Sequence, residues 1–204
     1  MAAATDLAPL APGDHAEAVA VITDAFLDDP LTTYLLRRRR SETISLLFGA
    51  LVHDAFSHGG GWALRADDRI IGVSVWLPPG KSPVPFHRHL RRLREWARLA
   101  TIDPAGLIRA MRASKVLDDI HPAEPHWFLS IVAVEREQRG TGAGRRLIEA
   151  GLAPAHAAGV PVHLDTNRPE NLPIYERLGF EVANEVQPLP GSPTAWGMTA
   201  SPPG

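Results

Sequence analysis

The stretch Arg139–Gly144, which reads Arg-Gly-Thr-Gly-Ala-Gly, has the clearest chemical meaning in this chain. Glycines let a backbone approach a ligand closely, and the free N–H groups at the start of a helix attract anions. Arg139 and Arg145 add guanidinium groups, which form charge-assisted hydrogen bonds to phosphate oxygens. The pattern therefore predicts a site for a phosphorylated ligand.

The segments on either side of this loop complete a strand–loop–helix unit. The apolar run Phe128–Val134 predicts a strand, and Leu147, Ile148 and Leu152 follow the loop at helical spacing. Several nucleotide-binding folds share such a unit. A Walker loop needs Gly-Lys-Ser/Thr where this chain has Gly-Arg-Arg. A dinucleotide fingerprint belongs on an early strand, whereas this loop lies two-thirds of the way along the chain, so neither class fits.

A second motif, Asn171–Phe180, lies downstream and reads Asn-Leu-Pro-Ile-Tyr-Glu-Arg-Leu-Gly-Phe. Together the two motifs resemble the GNAT superfamily of acetyl-CoA-dependent N-acetyltransferases. Within that superfamily, the order and spacing of segments over residues 121–203 resemble puromycin N-acetyltransferase and its relatives. The first half of the chain resembles them only loosely, through Ala25–Pro30 and Ile71–Trp76.

The resemblance implies an α/β GNAT fold, in which helices flank a central mixed sheet of six to seven strands. The strands near Val132 and Val162 are expected to splay apart around acetyl-CoA, the implied cosubstrate. The residues implied to hold it are Val132, Ala133 and Val134 on the strand, Arg139, Gly140, Thr141, Gly142, Ala143, Gly144 and Arg145 in the loop, and Asn171 beyond it. Helix N-capping is the other role open to Asn171.

Acetyl transfer from a thioester to an amine requires a deprotonated amine, a donor for the thioester oxygen, a donor for the departing thiolate and aligned reactants. Tyr175 matches the family tyrosine that donates to the coenzyme sulfur. A phenol with a pKa near ~10 is protonated at neutral pH and can donate a hydrogen bond. Packing beside Leu178 and Phe180 is the other role open to this ring.

The residue types leave the general base open. Asp165 ends the strand after the binding helix, on the face opposite to Leu164, at a position that is glutamate in the puromycin-type sequences. It is expected to orient the amine, to accept its proton through water, or only to cap the loop at 166–167. His126 and His163 are alternatives for the base. No grouping of His, Asp and Glu has convincing metal-ligand spacing, so no metal is expected.

The remaining pattern predicts the elements that position these residues. A first strand is expected within residues 5–10, and a helix follows from Pro12 and ends before Pro30. A second helix begins with Ser41 as its N-cap, and a hairpin turns at Asp67-Asp68. Residues 78–125 are expected to form a helical insertion that begins its first helix near Leu90. It lies either over the active site or against the sheet edge.

Composition narrows the class of protein further. The 204 residues, 45% of them hydrophobic, predict one domain, 1–204, with a full core. The formal net charge of −2 does not favour nucleic acid, so the run Arg37–Arg40 is expected to form a solvated or acceptor-side face. The chain has no cysteine, which fits a reducing cytoplasm. Neither a signal peptide nor a membrane span is expected, and a homodimer is left open.

The expected function is acetyl-CoA-dependent N-acetylation of a primary amine on a small molecule. Its sharpest version is acetylation of an aminonucleoside antibiotic such as puromycin, which would confer antibiotic resistance. Two alternatives remain open: acetylation of a protein or peptide amine, and a non-catalytic module that senses acyl-CoA.

Overall fold

The computed structural model describes residues 5–82 and 92–202. The expected insertion, residues 78–125, is therefore described except for 83–91, and its expected start near Leu90 lies outside the described residues. The strands are β1 (Thr5–Pro9), β2 (Gly60–Ala66), β3 (Arg69–Leu77), β4 (Trp127–Val134), β5 (Val162–Thr166), β6 (Phe180–Val186) and β7 (Ala195–Ala200). The α-helices are α1 (His15–Phe26), α2 (Pro30–Leu35), α3 (Arg40–His58), α4 (Leu93–Ile102), α5 (Pro104–Asp118), α6 (Ala143–Ala157) and α7 (Leu172–Glu176).

The seven strands form one mixed sheet in the order β1-β2-β3-β4-β5-β7-β6. Its neighbouring strands are antiparallel except for the central pair β4 and β5, which is parallel. The parallel pair is joined by a crossover through α6, as a parallel connection requires. This arrangement confirms the α/β GNAT fold and the expected mixed sheet.

The central pair opens into a wedge. β4 and β5 pair only from Trp127 opposite Val162 to Leu129 opposite Leu164. The register of β4 against β3 shifts beside Ser130, which is where a bulge adds one residue and turns the side chains that follow. Leu129 consequently packs in the cluster that contains Ile148 of α6, whereas Ile131 packs with the helices on the opposite face.

Two helical layers cover the sheet. On one face, α1, α2 and α3 contribute the largest apolar cluster, which also holds Leu99 of α4 and Ala113 of α5. On the other face, α6 packs through Leu147, Ile148 and Leu152. The wedge between β4 and β5 therefore has a helical wall on each side.

The structure confirms some sequence expectations and corrects others. The hairpin turns at Asp67 and Asp68, whose φ values of 49° and 62° suit a tight two-residue turn. α1 ends at Phe26, before Pro30 as expected, but Pro30 also begins a further helix, α2. Asp29 is the N-cap of α2, because its side chain accepts from Thr32 N at 2.8 Å. Ser41 as an N-cap is wrong, since α3 already begins at Arg40.

The two described helices of the insertion pack on other helices, and beyond them the Ile120 carbonyl accepts from Asn184 of the edge strand β6 at 3.1 Å. α4 lies against α3, and α5 contacts α2. The buried Asp103 joins these parts by accepting from Arg37 N at 2.9 Å and from Gly106 N at 2.8 Å. Arg109 of α5 donates to the Leu35 carbonyl at 2.6 Å. The insertion thus supports α2 and α3 within the helical layer on that face of the sheet.

The contact between α6 and β3 allows no side chain at Gly151. A Cβ there would lie 2.1 Å from Cε2 of the buried Trp76, whose indole Nε1–H donates to Ser74 Oγ at 3.0 Å. We expect Gly151→Ala to destabilise the fold by about 1–3 kcal/mol through overpacking. Urea unfolding measures this loss.

Gly49 provides the matched control. It also lies in a helix, but its Cβ would meet Val19 Cγ2 at 3.6 Å, an ordinary contact. Gly49→Ala should be neutral, or stabilising by up to about 1 kcal/mol from helix propensity. Equal losses of stability in the two variants would contradict the packing argument.

Candidate active site

The wedge opens into a cleft of about 630 Å³. One wall consists of residues 129–134 of β4 and the glycine-rich loop. The opposite wall consists of the end of β5 and the residues that follow it, and Tyr175 of α7 also lines the space. Of the predicted coenzyme residues, those that line the cleft are Val132, Ala133, Val134, Arg139, Gly140, Gly142, Gly144, Arg145 and Asn171. The predicted residues Thr141 and Ala143 are not among the lining residues.

The glycine-rich loop presents backbone donors at the start of α6. Gly140 and Gly142 have φ values of 77° and 89°, in the left-handed region that favours glycine. Gly142 is the N-cap, and its carbonyl accepts from Arg146 N at 3.1 Å. The N–H groups that precede Arg146 in the helix have no intrahelical acceptor. Such free N–H groups suit the anion that the sequence predicts here, and the binding itself remains a prediction.

The side chains of this loop contribute less than its backbone. The hydroxyl of Thr141 donates back to the Gln138 carbonyl at 2.7 Å. Arg145 pairs with Glu149 at 2.7 Å, and both side chains are exposed. An exposed pair of this kind contributes little stability, so the Arg145 guanidinium can leave it for a phosphate. Arg139 is also exposed.

Asn171 does not cap α7 with its side chain. Its backbone is already helical, with φ −83° and ψ −22°, and its amide lies 3.5 Å from Thr166 Oγ1. Asn171 thus stands at the N-cap position of α7 but makes no capping hydrogen bond with its side chain. Contact with the coenzyme remains a prediction for this residue.

Tyr175 has the packing role that the sequence left open, and its role as a donor to the coenzyme sulfur remains a prediction. Its ring is 7% exposed and packs edge-on against Phe180, with 5.9 Å between ring centroids. Burial raises the pKa of Tyr175 to about 12, so the phenol keeps its proton throughout the neutral range. Burial is the only cause of this shift, and no hydrogen bond from the hydroxyl to residues 5–82 or 92–202 contributes to it. The hydroxyl remains available to donate to a ligand in the cleft.

Asp165 lies in a cluster of histidines that the sequence did not reveal. Its Oδ1 is 3.3 Å from His163 Nε2, and its Oδ2 is 3.4 Å from His121 Nε2. Behind them, His126 Nε2 lies 3.4 Å from His121 Nδ1. His163, one of the alternatives for the base, is fully buried, and its Nδ1 lies 3.2 Å from Thr199 Oγ1. Of these groups, the structure places Asp165 in the cleft wall.

The electrostatics of the cluster keep Asp165 ionised. Burial alone would raise the pKa of Asp165, but hydrogen bonds from His121 and His163 outweigh it and lower the pKa below its ordinary value. Burial also lowers the pKa of His126, against a hydrogen bond to the Glu124 carbonyl that raises it. His126 is therefore neutral at physiological pH.

His121, His163 and Asp165 offer three atoms within 4.8 Å of one another, a spacing that a metal ion could use. These atoms already pair with one another, because each histidine Nε2 contacts a different oxygen of Asp165. We therefore describe the group as a hydrogen-bonded cluster. The expectation that no metal is needed remains a prediction.

The acceptor-side wall is held to β5 by a set of bonds from the start of α2. Asn167 donates to Asp29 Oδ2 at 3.0 Å and accepts from Leu31 N at 3.3 Å. Arg168 donates to the Asp28 carbonyl at 2.7 Å. These bonds fix the position of α2 relative to the end of β5, and hence relative to Asp165.

The run Arg37–Arg40 serves the junction between α2 and α3. The Arg37 guanidinium lies 5.1 Å from the centre of the Tyr34 ring, and Arg39 pairs with Glu42 at 2.6 Å. Arg40 donates to the Leu27 carbonyl and to Thr33 Oγ1. The arginines therefore take part in local contacts at this junction, and whether they form a solvated or an acceptor-side face remains open.

Comparison with known proteins gives consistent matches. The family model of the acetyltransferase (GNAT) domain matches residues 96–182. An uncharacterised N-acetyltransferase of Schizosaccharomyces pombe is 28% identical over 176 residues, which span 82% of this chain and 70% of that protein. Among the helices that the structure describes, none is long and apolar enough to cross a membrane.

Solved structures share the fold at low identity. The histone acetyltransferase HPA2 and related acetyltransferase of Corynebacterium glutamicum superposes with a TM-score of 0.73 at 22% identity, and covers 98% of this chain and 97% of that chain. Arylalkylamine N-acetyltransferase 2 of Aedes aegypti superposes with a TM-score of 0.60 at 14% identity, and covers 98% of this chain and 99% of that chain.

The loop geometry predicts a specific effect of Gly142→Ala. A Cβ at this position meets nothing within 4 Å, so its cost is the left-handed backbone, about 1–2 kcal/mol. Relief of that strain would turn the N–H groups of the loop away from the anion. We expect acetyl-CoA binding to weaken at least about tenfold, as titration calorimetry can measure.

Gly159→Ala is the matched control, because Gly159 lies just beyond the other end of α6 with φ 67° and equal space. It should lose similar stability and keep its affinity for acetyl-CoA. If both variants lost affinity equally, the loop would not be the phosphate site.

Proposed function

We propose that the chain is an acyltransferase of the GNAT type, which transfers acetyl from acetyl-CoA to the primary amine of a small molecule by direct attack. One observation carries the proposal: a single cleft gathers the free donors of the loop, the Tyr175 phenol and the Asp165 carboxylate. The loop donors suit a pyrophosphate, the phenol suits a leaving thiolate, and the carboxylate suits an incoming ammonium group.

The unpaired part of β4 is the proposed seat of the pantetheine arm. From Ser130 onwards, β4 has no partner in β5, so its N–H and C=O groups on that side face the cleft. Buried backbone groups need partners, and an extended amide-containing arm provides them. The same edge would supply a donor to the thioester oxygen as negative charge develops on it.

Tyr175 is the proposed donor to the thiolate. Its hydroxyl is protonated at every pH at which the enzyme would work, because its pKa is raised to about 12. A thiolate leaving group is stabilised by such a donor, and no covalent intermediate is needed.

Asp165 is the proposed contact of the amine. Its carboxylate is charged and lies in the cleft wall, so it attracts an ammonium group and orients it. Direct attack requires the nitrogen to lose a proton, and Asp165 lies where that proton would go. His126 and His163, the alternatives for the base, are not among the residues that line the cleft.

The proposed acceptor is a small molecule, with aminonucleosides such as puromycin as the sharpest candidates. The resemblance over residues 121–203 supports this choice. A role in antibiotic resistance within the cytoplasm would follow. Peptide amines are the rival acceptors.

A panel assay tests the proposal. Free coenzyme A released from acetyl-CoA is measured against puromycin, arylalkylamines, polyamines and short peptides, and product mass confirms the acetylation. Turnover of a small amine with kcat/KM of about 10⁴ M⁻¹s⁻¹ or above would support the proposal. If only peptides were acetylated, the acceptor would be a peptide amine and not a small molecule. Binding of acetyl-CoA without turnover of any amine would favour a sensor.

The role of Tyr175 predicts a defect confined to catalysis. We expect Tyr175→Phe to lower kcat by about 10- to 100-fold while the affinity for acetyl-CoA is kept, because only the proton donor is removed. Tyr34→Phe is the matched control, since Tyr34 is the only other tyrosine and its hydroxyl donates to the Pro190 carbonyl at 2.9 Å. An unchanged rate for Tyr175→Phe would remove this residue from the mechanism.

A further inference from the structure

A row of three side chains runs from the cleft wall to an exposed turn. Asp165 Oδ2 lies 3.4 Å from His121 Nε2, and His121 Nδ1 lies 3.4 Å from His126 Nε2. His126 Nδ1 lies 2.8 Å from the Glu124 carbonyl, in the exposed stretch 123–125. The His121 ring is also held between Phe128 and His163, at 4.5 Å from each centroid.

The end of this row fixes the proton positions along it. A carbonyl oxygen only accepts, so His126 Nδ1 must carry the hydrogen. Because burial keeps His126 neutral, its Nε2 carries a lone pair and accepts from His121 Nδ1–H. When His121 is neutral, its own lone pair therefore lies on Nε2 beside Asp165, so the hydrogen bond between this nitrogen and Asp165 forms only when one of the two groups carries the shared proton.

We propose that His121, held in this tautomer by His126, is a positioning residue that takes up through Asp165 the proton released by the acceptor amine. The proposal rests on the proposed function. The ammonium N–H bond breaks and the proton passes to the Asp165 carboxylate. From there it passes to His121 Nε2, which becomes an imidazolium that still donates to His126. The proton returns to solvent through the cleft after the product leaves.

Asp165 alone is poorly matched to this task. A carboxyl group with a lowered pKa holds a proton only weakly, whereas the neighbouring His121 ring offers a nitrogen that can accept the proton. Asp165 therefore contacts the amine, and His121 holds the proton after it has passed through Asp165. A histidine oriented by a second group behind it is a common arrangement in acid–base catalysis.

The charged and titratable groups around His121 come from three segments. β5 contributes His163 and Asp165, the end of α5 contributes Asp118, and β4 is preceded by His126. The pKa of Asp118 is raised, chiefly by burial, while His121 opposes the rise. His163 contacts the same carboxylate as His121, but it is fully buried and its other nitrogen faces only Thr199.

His121 and His163 each contact one oxygen of Asp165, so variants of the two histidines form a matched pair. Both His121→Gln and His163→Gln keep an amide that can donate to Asp165, and both remove the imidazole that can take up a proton. The assay measures kcat/KM for an α-amino acceptor, whose pKa is about 8, from below to above that pKa. We expect His121→Gln to be about 10- to 100-fold slower below the amine pKa and to approach the wild-type rate above it.

Recovery at high pH is the decisive result, because an amine that is already deprotonated needs no proton acceptor. His163→Gln should lose activity by a similar factor at every pH, as expected of a group that only holds the carboxylate. A pH-independent loss in His121→Gln, or no loss, would overturn the proposal. Absence of transfer to any amine by the wild type would instead overturn the proposed function, and the proton step with it.

The tautomer can be tested without turnover. Nitrogen-15 NMR of the histidine side chains, assigned with the His121→Gln and His126→Gln variants, reports which ring nitrogen carries hydrogen. At alkaline pH we expect neutral His121 to be protonated at Nδ1, and to lose this preference in His126→Gln. A neutral His121 protonated at Nε2 would overturn the proposal even if the protein acetylates amines.

Discussion

The site depends on the short parallel pairing of β4 with β5. Three residue pairs hold the strands together, and beyond Leu129 and Leu164 the strands separate. Strand edges must satisfy their N–H and C=O groups, and a sheet that opens at its centre leaves such groups facing a cleft. The loop donors, Tyr175 and Asp165 are all positioned relative to this opening, so anything that closed the wedge would remove the whole site.

The bulge beside Ser130 divides the cleft into two sides. Before it, Leu129 packs with α6, and after it Ile131 packs with α1 and α3. On β5, successive side chains point to opposite faces of the sheet. Leu164 packs in the cluster that contains α6, and Asp165 faces the histidines on the other side. A strand that changes face at its bulge thus places the coenzyme loop and the acceptor wall on opposite sides of one opening.

Sequence patterns predicted the parts of this design that are local. The loop around Gly142 and the aromatic ring of Tyr175 follow from short motifs whose chemistry is complete within ten residues. The helix capped by Asp29 was missed because an Asp-Pro pair is compatible with both the end and the start of a helix. His121 was missed for a different reason: it meets Asp165 only after the chain has passed through β4 and α6, and no spacing rule records such a contact.

Tyr175 and Asp165 both line the cleft, and their surroundings shift their pKa values in opposite directions. Tyr175 is packed among apolar side chains, which raises its pKa to about 12, whereas hydrogen bonds from two histidines lower the pKa of Asp165 despite its burial. Groups whose pKa values are pushed apart in this way can hold and release protons in the same pH range without exchanging roles. The phenol shares its apolar cluster with residues of α6, and the carboxylate faces the opposite layer. In the proposed mechanism, proton donation therefore belongs on the coenzyme side and proton uptake on the amine side, which is the order that direct transfer from a thioester requires.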